Sequence, residues 1–178
     1  MTSDKPPAAD ACVKPAVPTA RILEVSDFAM ALPPGARLIG VDVGTKTLGL
    51  ALSDVTRTIA SGLETIRRTK FKADAARLVA LVGEHKIAGL VIGLPIGLDG
   101  STGPRAQASH SFARLIGPLA DVPVLMWGER LTTVEAERLL IEADASRKRR
   151  AEVIDKMAAT LILQGALDRM RALQKSGP

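Results

Sequence analysis

Between Leu38 and Asp54 two apolar runs, LIGVDVG and LGLALSD, are separated only by Thr45, Lys46 and Thr47. Each run is rich in Val, Ile and Leu, as a strand covered by neighbouring layers requires. A crossover between parallel strands takes about a dozen residues or more, so a three-residue link forces the two strands to lie antiparallel. A flavodoxin-like sheet, which interposes a helix between its first two strands, is therefore excluded. No helix fits between Gly44 and Leu48.

The rest of the chain extends this start in one order. A third candidate strand between Ile59 and Ile66 completes a meander. Phe71, Ala75, Leu78, Val79 and Val82 recur at helical spacing, and the unbroken run IAGLVIGLP suits a strand buried on both faces. Pro104 opens a further helix, whose Ala108, Phe112, Leu115 and Ile116 form one stripe before Pro118. VPVLMW supplies a fifth strand, and Thr132 with Glu135 forms a capping box for a helix ending near Ala143. A last helix is expected from about Ala151 to Leu173. Three meandering strands followed by helix, strand, helix, strand and helices predict an α/β, ribonuclease H-like domain over residues 37–174: a mixed five-stranded sheet with helices on both faces. Residues 1–20 hold four prolines and little large apolar content, and are expected to form a disordered arm. Residues 21–36 read as a short N-terminal extension, helical or irregular across ILEVSDFAMAL, with Pro33 to Gly35 marking the start of the body.

The chain has 178 residues, room for one domain with a substantial core. Its 24 Lys and Arg against 19 Asp and Glu leave a formal charge of +5, a balance that suits a polyanionic partner. One Trp, three Phe and no Tyr leave few rings for stacking unpaired bases, so a nucleic acid would be read through backbone and shape. Cys12 is the single cysteine, which excludes an intrachain disulfide and a cysteine zinc site. No apolar run approaches the roughly 18 residues that span a bilayer, so a cytoplasmic location and no membrane partner are expected.

Three acids stand out. Asp42 interrupts a strand of Val and Ile, where a carboxylate is costly unless a divalent cation or local backbone amides compensate it. Asp155 precedes Ala158, Ala159, Ile162 and Ala166 at helical spacing, so it shares their inward stripe, although an acid in a first helical turn also favours the positive helix end. Glu129 follows the fifth strand. With the first, fourth and fifth strands parallel, Asp42, Leu94 and Glu129 fall near one carboxyl edge, where sites of such sheets lie. Two Mg²⁺ or Mn²⁺ ions about 4 Å apart in such a carboxylate cluster would activate a water and stabilise the leaving oxygen of a phosphodiester. His85 and His110 are far apart in helical segments and read as surface or packing residues. Candidate phosphate contacts are Lys46 beside Asp42, Ser101 and Arg105 from the loop LPIGLDGSTGPRA, Arg130 after Glu129, and Lys148 and Arg149 in the run before the last helix. Without the neighbouring acids a flexible connection accounts better for the glycine loop, and a solvated charge run accounts equally for Lys148 and Arg149.

With these residues assembled, the chain resembles the YqgF/RuvX-like family, nucleases of precursor 16S ribosomal RNA related to Holliday-junction resolvases within the ribonuclease H-like superfamily. The likeness covers roughly Leu38 to Leu173 through IGVDVGTKTLGLALSD, VIGLPIGLDGSTGPRA, GERLTT and IDKMAATLILQGALD. It implies a metal-dependent endonuclease, with Mg²⁺ or Mn²⁺, that processes the 5′ end of precursor 16S ribosomal RNA in the pre-ribosomal particle. Residue by residue, Asp42 matches the first-strand acid, Glu129 the glutamate of an Asp-Glu-Arg motif and Asp155 the acid of the final helix. Gly128 stands where that motif has its aspartate. Three alternatives stay open: a DNA-junction resolvase working on branched DNA as a homodimer, a nucleic-acid-binding member impaired by Gly128, and one half of an actin-like ATPase, whose Asp-Xaa-Gly-Thr turn is similar.

Overall fold

The three-residue link folds as its length requires, into an antiparallel hairpin inside a six-stranded sheet. The computed structural model describes residues 21–95, 103–129 and 147–175, with residues 129 and 147–152 described by backbone alone. In chain order the elements are β1 (Ile22–Leu23), α1 (Val25–Ala31), β2 (Arg37–Val43), β3 (Thr47–Ser53), β4 (Ala60–Arg67), α2 (Phe71–Glu84), β5 (Ile87–Pro95), α3 (Pro104–Ala120), β6 (Val124–Glu129) and α4 (Arg147–Lys175). The sheet order is β1-β6-β5-β2-β3-β4, and β3 alone opposes its neighbours. The five expected strands are present. The sixth, β1, pairs Ile22 with Val124 through two residues, too few to display an alternation in the sequence.

Alternation along β2 divides the molecule into two cores. Ile39, Val41 and Val43 face α2 and α3, packing with Leu78, Leu81, Phe112 and Ile116. Leu38 faces the opposite way, into a cluster with Phe28 of α1, Leu32 just after it, and Ala159, Ile162, Leu163 and Ala166 of α4. Residues Leu38, Gly40 and Asp42 therefore share the α4 face. No helix among the described residues is long and apolar enough to cross a membrane.

Two helices differ from their expected form. α3 runs through Pro118 to Ala120 and ends on Asp121, left-handed at φ 54°, whose N–H donates to the Gly117 carbonyl. A proline three residues from the end deletes one N–H without forcing the last turn apart. Its buried stripe is Ala106, Ser109, Phe112, Ala113, Ile116 and Ala120, while Ala108 is exposed and Leu115 is 53% exposed. Small residues hold the inward positions, and the size of Leu115 misplaces the stripe by one step. α4 is longer than expected, starting at Arg147 and ending at Lys175. The arm at residues 1–20, Ser101, Arg130 and the helix expected after Thr132 lie outside the described residues.

Candidate active site

Asp42 is the penultimate residue of β2, and its register partner across the hairpin is Gly49 of β3. That glycine is a contact requirement. A Cβ there would stand 2.0 Å from the backbone oxygen of Asp155, so a side chain of any kind would push α4 off the sheet. Gly40 repeats the arrangement further along β2, where a Cβ would meet the Leu163 Cβ at 2.6 Å and the Ala159 oxygen at 2.8 Å. The small residues of α4 and the glycines of β2 and β3 thus let the helix backbone rest on the sheet. Asp155 arrives beside Asp42 as a result.

The electrostatics report that proximity. The Asp42 carboxyl is pushed up to about 6, chiefly by burial and next by the negative charge of Asp155, with Arg105 pulling it the other way. Arg105 is an exposed residue in the first turn of α3. Its charge faces the place where two carboxylates crowd. Both acids offer only oxygen, neither makes an ion pair among the described residues, and a hard divalent ion is the group such a pair fits. Among the described residues the two acids form a pair and not a cluster of three, because the Glu129 side chain is outside that set.

Strand register orders the end of β6. Leu94 pairs with Gly128 and Pro95 with Glu129. Leu125 and Trp127 belong to the α4-facing cluster and Met126 to the other. Continuing that period of two, position 128 falls on the α3 face and position 129 on the face of Asp42. The carboxyl edge of β2, β5 and β6 therefore gathers positions 42, 94 and 129 as the parallel strands predict.

The turn after Asp42 is braced from a direction that sequence spacing does not reveal. Gly44 donates to the Thr47 carbonyl at 3.0 Å, and a Cβ on Gly44 would stand 2.8 Å from that same oxygen. Arg68, just past β4, donates from Nη1 to the Gly44 carbonyl at 2.7 Å and from its backbone N–H to the Lys46 carbonyl at 2.9 Å. Its Nε lies 3.9 Å from Asp74, which is buried on α2 and accepts the Thr69 N–H at 3.1 Å. Arg68 is found only through the pairing of Thr47 with Arg67, a consequence of the meander register. Lys46 is exposed at the tip of this turn.

Of the remaining candidates, Lys148 and Arg149 lie in the first turn of α4, where the backbone alone is described, and Ser101 and Arg130 fall outside the described residues. His85 caps α2 and His110 is exposed on α3, so neither joins the acids. The space over Gly49 is filled by the α4 backbone.

Comparison with known proteins finds relatives of this chain among nucleases. The RuvX family model, described as Holliday junction resolvase, matches residues 36–169. A protein of Bradyrhizobium sp. strain BTAi1 named "Putative pre-16S rRNA nuclease" is 54% identical over 158 residues, covering 89% of this chain and 98% of its own. One of the same name from Ruegeria pomeroyi is 56% identical over 149 residues, covering 84% and 97%. Among solved structures, T. thermophilus RuvC in complex with Holliday junction substrate aligns at a TM-score of 0.48 and 15% identity, covering 76% of this chain and 96% of its own. The yeast mitochondrial Holliday junction resolvase Ydc2 aligns at 0.44 and 12%, covering 85% of each. Matched over most of its length by the family model and by relatives above half identity, the chain belongs to the RuvX Holliday junction resolvase family.

Proposed function

We propose that this nuclease cleaves the 5′ end of precursor 16S ribosomal RNA, with Asp42, Glu129 and Asp155 as the carboxylates that hold Mg²⁺ or Mn²⁺. The observation that carries the reading is the seating of the Asp155 backbone over Gly49, the register partner of Asp42, which brings two acids from opposite ends of the chain to one corner. A divalent cation bound there supplies an activated water and neutralises the charge that develops on the leaving oxygen. The chain's own residues do the rest. Asp42 and Asp155 fix the cation position, and Arg105, close enough to lower the Asp42 carboxyl, binds a nonbridging oxygen of the scissile phosphate. Lys46 holds a neighbouring phosphate from the braced turn. Ser101, Arg130, Lys148 and Arg149 contribute further backbone contacts in this reading.

Gly128 bears on whether the chemistry runs. By strand alternation position 128 lies on the α3 face, away from Asp42, so the absent aspartate is not one of the three acids. This supports an active enzyme over an impaired binding module. The substrate named for the relatives favours RNA, and the family description favours a four-way DNA junction as the second reading. The test incubates wild type, Asp42→Asn and Gly128→Asp with precursor 16S ribosomal RNA and with a four-way DNA junction, in Mn²⁺ or in chelator. Cleavage of the RNA by wild type, lost in Asp42→Asn and in chelator, is expected. Cleavage that survives either change rejects the site, and cleavage of the junction alone moves the substrate to DNA.

A further inference from the structure

We infer that the connector between β4 and α2, residues 67–72, is a landing surface for the phosphate backbone beside the scissile bond; this rests on the nuclease reading above and extends it to the path of the substrate. The segment reads Arg67-Arg68-Thr69-Lys70-Phe71-Lys72, and Lys46 stands next to it in the β2–β3 turn. Its position is fixed. One arginine joins the connector to the catalytic turn through the 2.7 Å bond to the Gly44 carbonyl and the 2.9 Å bond to the Lys46 carbonyl. The buried carboxylate of Asp74 orients that arginine at 3.9 Å and ties down Thr69.

Around this lock three lysines are unspent. Lys46, Lys70 and Lys72 are exposed, and among the described residues none of them makes an ion pair or a side-chain hydrogen bond. Other surface arginines are engaged: Arg77 with Glu64 at 2.7 Å and Glu84 at 3.3 Å, and Arg171 with the Thr58 carbonyl at 2.8 Å. Asp74 is the only acid from residue 67 to residue 74, and it is buried and paired. Exposed ammonium groups on a rigid base, without competing carboxylates, suit a polyanion chain.

The geometry also fits in scale. β4 lies two strands from β2, so at about 4.8 Å per strand the connector begins roughly 10 Å from Asp42. That is about three nucleotide steps measured along a duplex axis at ~3.4 Å per strand. Arg105 opens α3, which packs on β5 on the other side of β2. A strand crossing the acids therefore meets cations on both sides of the cut.

The test measures fluorescence anisotropy of a labelled transcript spanning the 5′ end of precursor 16S ribosomal RNA, bound by the Asp42→Asn protein over a series of salt concentrations. Adding Lys70→Ala and Lys72→Ala is expected to weaken binding several-fold and to flatten the slope of log affinity against log salt by about 1 to 2, since each lost phosphate contact removes roughly 0.7 to 0.9. In the otherwise wild-type chain the same pair should raise KM and leave kcat unchanged. Arg169→Ala with Lys175→Ala removes the same charge at the far end of α4 and should move neither quantity. An unchanged slope in the Lys70 and Lys72 pair, or an equal change in the control pair, overturns the landing surface while cleavage by wild type keeps the nuclease reading. Absence of both binding and cleavage removes the two together.

Discussion

Asp42 couples stability and activity in opposite directions. Its carboxyl is held at about 6 in the folded chain, against an ordinary value near 4, so the native state favours the protonated form. The stabilising contribution of that proton is complete below the unfolded value and is lost as pH rises through 6, with no more than about 3 kcal/mol at stake for two units. Asp42→Asn is therefore expected to raise the melting temperature of the metal-free protein above pH 6, to flatten its dependence on pH between 4 and 6, and to abolish cleavage. A melting temperature that falls at neutral pH would contradict the burial argument. Metal binding requires the carboxylate, so the apparent metal affinity of wild type should decline as pH drops through 6. Gly128→Asp is a second test at this scale. Position 128 is exposed and, on the proposed reading, alternates to the α3 face, so the substitution should leave the cleavage rate within about twofold. A large gain would mean that the strand turns its acid inward. Asp42 and Asp155 are legible as candidates because an acid in an apolar run or on an apolar stripe is conspicuous, and Glu129 only through its place at the end of a strand parallel to that of Asp42. Arg68 is not legible, since its role depends on a carbonyl across two strands.

At the level of elements, periodicity located the sheet and the small-residue stripe of the last helix, but not the strand glycines that receive that helix. The hairpin follows from a three-residue link, and the parallel strands follow from unbroken apolar runs. The seating of α4 follows from glycines in strands, which periodicity reads only as weak strand residues. β1 carried no pattern at all, and its pairing with β6 depends on Arg21, whose carbonyl accepts the Val124 N–H at 3.0 Å. The α3 stripe was misplaced because large residues dominate an apolar pattern although Ala and Ser can fill a tight interface. Gly49→Ala tests the seating directly. Its Cβ would meet a backbone oxygen that cannot rotate away, so a loss of about 1 to 3 kcal/mol is expected together with lost cleavage in whatever folds. Gly83→Ala, in α2 with nothing within 4 Å of a new Cβ, should instead add about 0.5 to 1 kcal/mol. Equal effects of the two substitutions in chemical denaturation would remove the close-approach argument.

Across the whole molecule, the two ends of the sheet are assigned different work. The carboxyl end of β2, β5 and β6 gathers Asp42, Asp155, the braced turn and lysines that are unpaired among the described residues. At the opposite end polar groups are spent on each other. Asp54 accepts the N–H groups of Thr56 at 3.2 Å, Thr58 at 2.7 Å and Ile59 at 2.9 Å, and those bonds hold its carboxyl well below the usual range. α4 links the two ends, with Asp155 near its start and Gln164 further on. Gln164 accepts the Ala60 N–H at 2.9 Å and donates to the Thr58 carbonyl at 3.1 Å, fastening the helix to the β3–β4 turn. If the far end only anchors the helix, Gln164→Ala should lower stability by about 1 to 3 kcal/mol, because the partly buried Ala60 N–H loses its partner. For a chain of this size that is roughly 2 to 4 °C in melting temperature per kcal/mol. Cleavage measured well below the transition should keep its kcat, since β2, β3 and the first half of α4 retain the contacts that join Asp42 to Asp155. A kcat that falls with intact secondary structure would show that the anchor also sets the position of Asp155, and the separation of the two ends would have to be given up.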